Sequence, residues 1–215
     1  MTNLNVSSGN LDDYEQEFSS PLAVSDEVAD LLYRSARTAY SFTDQPVTAA
    51  ELRTVYDLAK WGPTAMNSQP LRMVLVQSPE ARAQLVEHMA GNNKARTQAA
   101  PLVALLAADT DFHEELPRVF PAMPNAKDQL ADEQTRAAMA QTSAILQAGY
   151  FILGVRAAGL AAGPMAGFDA DAVSAAFFPD GRHRVLLVVN LGHAHEDSYR
   201  PRQPRLEYDE VVTTV

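Results

Sequence analysis

The strongest constraint on the fold of this chain is a long helical segment over residues 130–158. At roughly 1.5 Å per residue, such a helix would run about 40 Å, the length of a whole domain. Over residues 144–155 the only polar residue is Gln147, so this part is apolar on every face and should be buried all round. A core helix in a monomer and a helix at a dimer interface both satisfy that demand. Three small residues would let a second backbone approach closely: Ala148, Gly149 and Gly154.

Three short apolar runs predict strands, at residues 73–76, 101–107 and 184–191. The last run has the highest content of β-branched residues and is therefore the best signalled of the three. Residues 109–128 differ from these runs because they are rich in proline, acidic and aromatic residues, which is typical of an excursion or a lid.

Helix boundaries are marked by local signals. Thr48 and Glu51 stand at the spacing of a capping box, and apolar residues follow at helical spacing until Gly62-Pro63 stops them. Ser25 can cap an earlier helix, and Ser78-Pro79 can open a later one because proline is comfortable in a first turn. The sequence therefore predicts helices after residues 25, 48 and 78.

Composition narrows the class of protein. Apolar residues make up 47% of the 215 residues and charged residues 20%, which is ordinary for a soluble globular domain, and no apolar run reaches the roughly 18 residues of a membrane span. The absence of cysteine excludes disulfides, thiolate metal sites and a cysteine nucleophile. The net charge of −10 argues against nucleic acid as a partner, because phosphate contacts need Lys and Arg.

The negative charge is concentrated near the N-terminus. Residues 1–30 contain seven Asp or Glu and no Lys or Arg, so the rest of the chain carries only −3. Residues 1–24 lack clear periodicity and are interpreted as an acidic, solubilising arm, with residues 25–215 as a single domain. The N-terminus lacks the basic start and apolar stretch of a secretory signal, so a cytoplasmic protein is expected.

A loop between the second predicted helix and the first predicted strand carries a dense group of short polar side chains, in the run WGPTAMNSQP (residues 61–70). Two prolines stiffen it. The amide of Asn67 could read the edge of a planar heteroaromatic ring, since it offers two donors and one acceptor. An ordinary loop, with proline for rigidity and asparagine for turn bonding, explains the same residues. Residue spacing leaves both interpretations open.

This loop resembles the asparagine-bearing loop of the nitroreductase family, flavin enzymes that hold FMN at a dimer interface. Residues 36–47 are similar to the family's N-terminal flavin-binding signature, residues 160–169 to the loop beside the isoalloxazine ring, and residues 202–206 to the basic C-terminal arm that reaches the flavin phosphate. The resemblance spans roughly residues 33–215. It implies an α+β fold with a central, mainly antiparallel sheet flanked by helices, part of the C-terminal arm as a strand, and the long helix buried at a homodimer interface.

The resemblance implies cations for the FMN phosphate. Arg37 and the hydroxyl of Thr38 match the N-terminal signature, while Arg202 and Arg205 match the C-terminal arm, where Arg205 is favoured because a hydrophobic residue follows it. Tyr40 departs from the family, which usually carries a second basic side chain at that position. A solvated surface charge is the alternative role of each arginine.

The resemblance also implies contacts to the flavin ring. Asn67 would bind its polar edge, and the main-chain N–H of Ala166 would lie beside flavin N5, with Gly163 and Gly167 permitting close approach. A simple turn after the long helix explains the same glycines. The full set of implied cofactor-binding residues is Arg37, Thr38, Pro63, Thr64, Asn67, Pro164, Met165, Ala166, Gly167, Arg202 and Arg205.

The implied activity is that of an FMN-dependent oxidoreductase, in which NADPH or NADH gives hydride to flavin N5 and a small acceptor takes the electrons. The sequence is most similar to the malonic semialdehyde reductase branch, which makes 3-hydroxypropionate. Two alternatives stay open: a broad reductase of nitroaromatics or quinones, and a non-catalytic protein that binds or sequesters FMN. No metal site is expected, since two lone histidines, His193 and His195, are a poor metal motif.

Overall fold

The computed structural model describes residues 22–215. They fall into two compact units, one ending at Ser35 and the other running from Ala36 to Val215. In the first unit the predicted cap is confirmed: Ser25 Oγ accepts a main-chain hydrogen bond at 3.4 Å and starts helix α1 (Asp26–Ala29). A π-helical turn, Asp30–Arg34, follows. Most of the predicted arm at residues 1–24 lies outside the described residues, so the predicted domain boundary stays a prediction.

The second unit is built on four strands: β1 (Leu71–Val76), β2 (Leu102–Asp109), β3 (Ala161–Met165) and β4 (His183–Gly192). They form a fully antiparallel sheet in the order β1-β2-β4-β3. The three predicted strands are confirmed as β1, β2 and β4, with bounds that differ by at most two residues. By contrast, β3 lies where a loop was expected. Gly163 and Pro164 weaken its strand signal, and proline is tolerated there because β3 is an edge strand.

Helices pack on both faces of this sheet. The helices of the second unit are α2 (Ala49–Ala59), α3 (Pro79–Glu87), α4 (Asn93–Ala99), α5 (Leu116–Val119), α6 (Ala126–Gln129), α7 (Glu133–Ala157), α8 (Ala170–Phe177) and α9 (Tyr208–Val211). Every residue of β2 is buried. Because successive side chains of a strand point to opposite faces, β2 contributes to two cores. Leu102, Ala104 and Leu106 pack with α2 and α7, whereas Val103 and Leu105 pack with α3 and α8.

The predicted helix signals are confirmed at α2 and α3. Thr48 Oγ1 accepts a hydrogen bond from the Glu51 N–H at 3.2 Å, and Glu51 Oε2 accepts one from the Thr48 N–H at 2.7 Å, which completes the capping box. Helix α2 ends before Gly62-Pro63, and α3 begins at Pro79 with Ser78 as its cap.

Helix α7 begins at Glu133 rather than at residue 130, because Asp132 caps it by accepting a hydrogen bond from a main-chain N–H at 2.7 Å. By length and composition α7 could cross a membrane, a test that the core helix of a soluble protein also passes. Its residues Ala148, Phe151 and Val155 belong to the core shared with α2 and the sheet. We therefore interpret α7 as a core helix.

The prediction that residues 144–155 are buried on every face is wrong for a single chain. Ile145, Leu146 and Tyr150 are 45%, 47% and 41% exposed, so α7 presents an apolar face to solvent. The two glycines of α7 have different surroundings. A Cβ on Gly154 would lie 3.1 Å from the Val55 carbonyl oxygen of α2, whereas a Cβ on Gly149 would meet nothing within 4 Å.

Residues 109–128 are not a free lid, because apolar side chains fix them to the core. A 3-10 turn, Phe112–Glu115, leads into α5 and α6. The buried apolar side chains of this segment are Phe112, Leu116 and Ala126, which pack with Ala140 and Ala144 of α7.

The C-terminal arm contains a 3-10 turn, Glu196–Ser198, and the short helix α9. The expected C-terminal strand is not formed in the described chain. Pro201 and Pro204 lack the N–H donors that a strand would use in this stretch.

Candidate functional site

The N-terminal part of the second unit runs between β3 and the segment that follows β4. The Ala39 N–H donates to the Ala162 carbonyl at 3.0 Å, and the Tyr40 N–H donates to the Ser198 carbonyl at 2.9 Å. Gly163 permits this approach, since a Cβ there would lie 2.7 Å from the Ala39 carbonyl oxygen. Three stretches that are far apart in sequence therefore meet at one end of the sheet.

A cleft of about 570 Å³ opens at this meeting point, and we call it the arginine cleft. It brings together five of the eleven predicted site residues, from the N-terminal signature, β3 and the C-terminal arm. It also receives Ile152 and Arg156 from α7. The lining residues are Ala36, Arg37, Thr38, Tyr40, Ile152, Arg156, Ala162, Pro164, Arg200, Pro201, Arg202, Gln203 and Arg205.

The guanidinium groups of the arginine cleft contact main-chain carbonyls and aromatic rings. Arg37 Nη1 donates to the Arg200 carbonyl at 3.3 Å and lies 5.4 Å from the centre of the Tyr199 ring. Arg205 Nη1 donates to the Gln203 carbonyl at 2.9 Å. Within residues 22–215, none of Arg37, Arg200 and Arg205 forms an ion pair with a carboxylate.

The crowding of these cations has an electrostatic consequence. Burial lowers the pKa of Arg202 from its ordinary value, and the neighbouring guanidinium groups of Arg205, Arg37 and Arg156 lower it further. Like charges held together in this way repel one another, so the cleft attracts an anion. A phosphate suits it well, because a guanidinium can bind phosphate through two parallel N–H donors.

A second cavity, of about 250 Å³, adjoins the first and shares Thr38, Tyr40 and Pro164 with it. We call it the amide pocket, because Asn93 and Asn190 line it. The predicted site residue Met165 lies in its wall. The complete lining is Thr38, Ala39, Tyr40, Asn93, Arg96, Gly163, Pro164, Met165 and Asn190.

Tyr40 lines both cavities, and its ring contacts two cations. The Arg96 guanidinium is 4.4 Å from the centre of its ring, and the Arg200 guanidinium is 4.5 Å from it. Such stacking on an aromatic face holds a guanidinium in place. The position that departs from the family pattern is therefore surrounded by two cations from other parts of the chain.

The predicted residues Ala166 and Gly167 follow β3 directly, at the edge of the amide pocket. Asn93 Nδ2 donates to the Gly167 carbonyl at 3.1 Å, and the Ala90 N–H donates to the same oxygen at 3.0 Å. A Cβ on Gly167 would lie 2.7 Å from Asn93 Nδ2, so this turn has no room for a larger residue. The contacts fix the main chain of the turn.

The predicted loop residues Pro63, Thr64 and Asn67 do not line either cavity. Asn67 Nδ2 donates to the Val119 carbonyl at 2.8 Å. The end of the loop is also held by α7, since Gln147 Oε1 accepts a hydrogen bond from the N–H of Leu71 at 3.0 Å. This contact explains the single polar residue in the apolar part of α7.

The same loop contains unusual backbone conformations. Met66, Asn67 and Gln69 have φ values of 55°, 49° and 45°. Side-chain-bearing residues adopt this left-handed region infrequently, and at some energetic cost, so a surrounding structure must hold them there. Three such residues in four positions mark the loop as a specialised segment rather than an ordinary turn.

Sequence reasoning missed Arg96, Arg156 and Asn190. Arg96 and Arg156 lie in helices and belong to no sequence motif. Asn190 could have been noticed, because it is the only amide in the apolar run of β4. In residues 22–215 no group of three or more His, Asp or Glu side chains is placed to hold a metal ion.

The sequence and the fold have clear relatives. Residues 33–193 match the model of the nitroreductase family. A Streptomyces coelicolor protein, provisionally named an NADH dehydrogenase/NAD(P)H nitroreductase, is 57% identical over 187 residues, which cover 86% of this chain and 95% of the relative. The chain belongs to the nitroreductase family. This finding confirms the family resemblance seen in the sequence and the prediction that the protein is an oxidoreductase.

Two solved structures share the fold. A Bacillus subtilis protein described provisionally as a nitroreductase has a TM-score of 0.77 and 24% identity, covering 88% of this chain and 99% of its own. A protein of Exiguobacterium sibiricum, similarly described and solved in complex with FMN, has a TM-score of 0.76 and 18% identity, covering 91% of this chain and 100% of its own. The predicted α+β fold with an antiparallel sheet is thus confirmed.

Proposed function

We propose that this protein is an FMN-dependent NAD(P)H oxidoreductase that passes hydride to a small organic acceptor. The observation that carries the proposal is the arginine cleft, where five arginines from three distant stretches surround one cavity beside the end of β3. The name of the Streptomyces coelicolor relative supports NADH or NADPH as donor. The FMN bound to the structural relative from Exiguobacterium sibiricum supports the cofactor.

The residues present fit FMN. Its phosphate is a dianion, which the crowded cations of the cleft favour, and Arg37, Arg202 and Arg205 provide the N–H donors. The hydroxyl of Thr38 adds a neutral donor in the same wall. Pro164 lies in both cavities and would support the part of the cofactor that continues from the cleft into the amide pocket.

Bound FMN would supply the redox chemistry, accepting hydride from a nicotinamide and passing it to the acceptor. The chain itself would bind and orient. Met165 would form a wall of the ring site, and the main-chain N–H of Ala166 would lie near flavin N5 as the family resemblance implies. Asn93 fixes the turn that carries this N–H through its hydrogen bond to Gly167.

A homodimer completes the proposed site. The exposed apolar face of α7 contains Ile145, Leu146 and Tyr150, and an exposed patch of this kind is typical of an interface. Two-fold packing through α7 would direct the loop with Pro63, Thr64 and Asn67 of one copy towards the arginine cleft of the other. This arrangement gives the loop a role that it lacks in the single chain.

Light scattering tests the dimer. The wild-type protein is expected to elute as a dimer of the 23.4 kDa chain, and Ile145→Asp to elute as a monomer with weaker FMN binding. Met123→Asp, which also charges a partly exposed apolar side chain outside α7, is the matched control and should stay dimeric. A monomeric wild-type protein would contradict the arrangement.

The acceptor is proposed more narrowly from the sequence resemblance, as malonic semialdehyde reduced to 3-hydroxypropionate. Comparison of kcat/KM for malonic semialdehyde with that for a nitroaromatic and a quinone tests this choice. A preference for the nitroaromatic or the quinone would replace it with a broad-specificity reductase. The acidic, cysteine-free chain is also consistent with the cytoplasmic location that we propose.

An absorption spectrum of the purified protein tests the main proposal, before and after anaerobic addition of NADPH or NADH. We expect a flavin spectrum that bleaches with at least one donor. A flavin that stays oxidised with both would favour a non-catalytic FMN-binding protein. No flavin after incubation with FMN would refute the proposed function.

A further inference from the structure

Two buried polar side chains of helix α7 hold the loop of residues 61–70. Ser143 Oγ accepts a hydrogen bond from the Ala65 N–H at 3.3 Å, and Gln147 Oε1 accepts one from the Leu71 N–H at 3.0 Å. Ser143 and Gln147 are 2% and 5% exposed. Because they are separated by one helical turn, they lie on the same side of α7. We call them the α7 polar pair.

The two contacts flank the part of the loop that has unusual backbone conformations. Met66, Asn67 and Gln69, the three residues with positive φ, all lie between Ala65 and Leu71. Left-handed conformations of this kind cost free energy and persist only where the surrounding structure holds them. The α7 polar pair provides such support from outside the loop, so loss of either contact should let the loop relax.

The conformation of the loop determines where the Asn67 amide lies. Asn67 is exposed, and its Nδ2 donates to the Val119 carbonyl at 2.8 Å, which orients the amide at the surface. The side chain is therefore fixed by α5 on one side and by the loop main chain on the other. A change in the main chain of the loop would displace this amide.

Helix α7 also connects the loop with the other parts of the proposed site. Its exposed apolar face contains Ile145 and Leu146, and further along the helix Ile152 and Arg156 line the arginine cleft. A helix rises about 1.5 Å per residue, so residues 143 and 156 are roughly 20 Å apart on one rigid element. The position of the loop relative to the proposed dimer interface is therefore set by α7.

We infer that Ser143 and Gln147 are positioning residues, which hold the loop so that Asn67 of one copy meets the cofactor bound to the other copy. This inference rests on the proposed function and its homodimer. Neither residue lines the arginine cleft or the amide pocket, and both act through Asn67. The α7 polar pair thus belongs to the site through the loop that it holds.

Hydrogen exchange of the apoprotein tests the contacts without the cofactor. Ser143→Ala should speed exchange of the Ala65 N–H about tenfold, since it removes the acceptor. Ser143→Thr keeps a hydroxyl and should restore slow exchange. Gln147→Met has a side chain of similar length without the acceptor and should speed exchange of the Leu71 N–H in the same way. Unchanged exchange at both N–H groups would overturn the inference.

Ser174→Ala is the matched control. Ser174 is also a buried helical serine, and its Oγ accepts a hydrogen bond from the Val185 N–H at 2.9 Å. It lines neither cavity and is not in contact with the loop through this bond. Ser174→Ala should therefore lower the urea midpoint about as much as Ser143→Ala does, without a change in exchange at Ala65 or in FMN binding.

Fluorescence titration with FMN tests the positioning role. We expect Ser143→Ala to raise the Kd for FMN roughly fivefold, with Ser143→Thr close to wild type. In an Asn67→Ala background, Ser143→Ala should weaken FMN binding little further, because two residues that act through one contact are not additive. A merely structural role of Ser143 would give the same loss in both backgrounds.

The outcomes separate this inference from the proposed function. An unchanged Kd in Ser143→Ala, or an undiminished effect of this change in the Asn67→Ala background, would overturn the inference. The proposed function would then stand, because the wild type still binds FMN. Failure of the wild type to bind FMN would overturn both.

Discussion

Two groups of arginines in this protein have opposite surroundings. Arg72 and Arg182 converge on Asp109, a carboxylate that is 1% exposed, and lie 3.0 Å and 2.8 Å from its Oδ2. In the arginine cleft, Arg37 and Arg205 instead donate to main-chain carbonyls. The first group therefore contains its anion, whereas the second is arranged around a cavity.

The pKa values of arginines in the two groups are shifted in opposite directions. The hydrogen bond to Asp109 raises the pKa of Arg182, while burial and the neighbouring cations lower that of Arg202. Arginines that surround a buried carboxylate should contribute to stability, and arginines crowded around a cavity should contribute to anion binding. Substitutions in the two groups should therefore separate stability from FMN affinity.

The largest effect is expected for Asp109→Asn. This change leaves two guanidinium groups without their carboxylate, and loss of one partner from a buried ion pair costs about 3 kcal/mol. Urea denaturation should show this loss in the free energy of unfolding. The control Asp171→Asn, which removes an exposed partner of Arg184, should cost less than about 0.5 kcal/mol. Loss of FMN affinity at unchanged stability would contradict the comparison.

A smaller effect, on binding alone, is expected for Arg205→Ala. Removal of a charged hydrogen-bond donor should weaken FMN binding by about 2 kcal/mol, which is a roughly thirtyfold rise in Kd. Riboflavin, which lacks the phosphate, should bind wild type and variant equally. Stability should stay within about 0.5 kcal/mol of wild type because the side chain is exposed. An equal loss for riboflavin would place Arg205 away from the phosphate.

The two groups also show how far the sequence could predict this site. Family-like stretches identified Arg37, Arg202 and Arg205, and the fold brings them together. Arg96 and Asn190 lie outside those family-like stretches. They line the amide pocket only because α4 and β4 meet there in the folded chain. Likewise, the strand at Gly163 and Pro164 was missed because its neighbour in the sheet, rather than local propensity, determines its conformation.

The smallest expected effect is that of salt. Exposed cations are screened over a Debye length of about 8 Å at physiological ionic strength, whereas buried pairs are screened much less. Raising NaCl from 0.05 to 0.5 M, roughly a tenfold change, should therefore increase the Kd for FMN several-fold while the contribution of Asp109 to unfolding stays nearly constant. Riboflavin titrated in parallel should show little dependence on salt. If salt weakened both flavins equally, the cleft would not act through the phosphate, and the distinction between the two arginine groups would rest on stability alone.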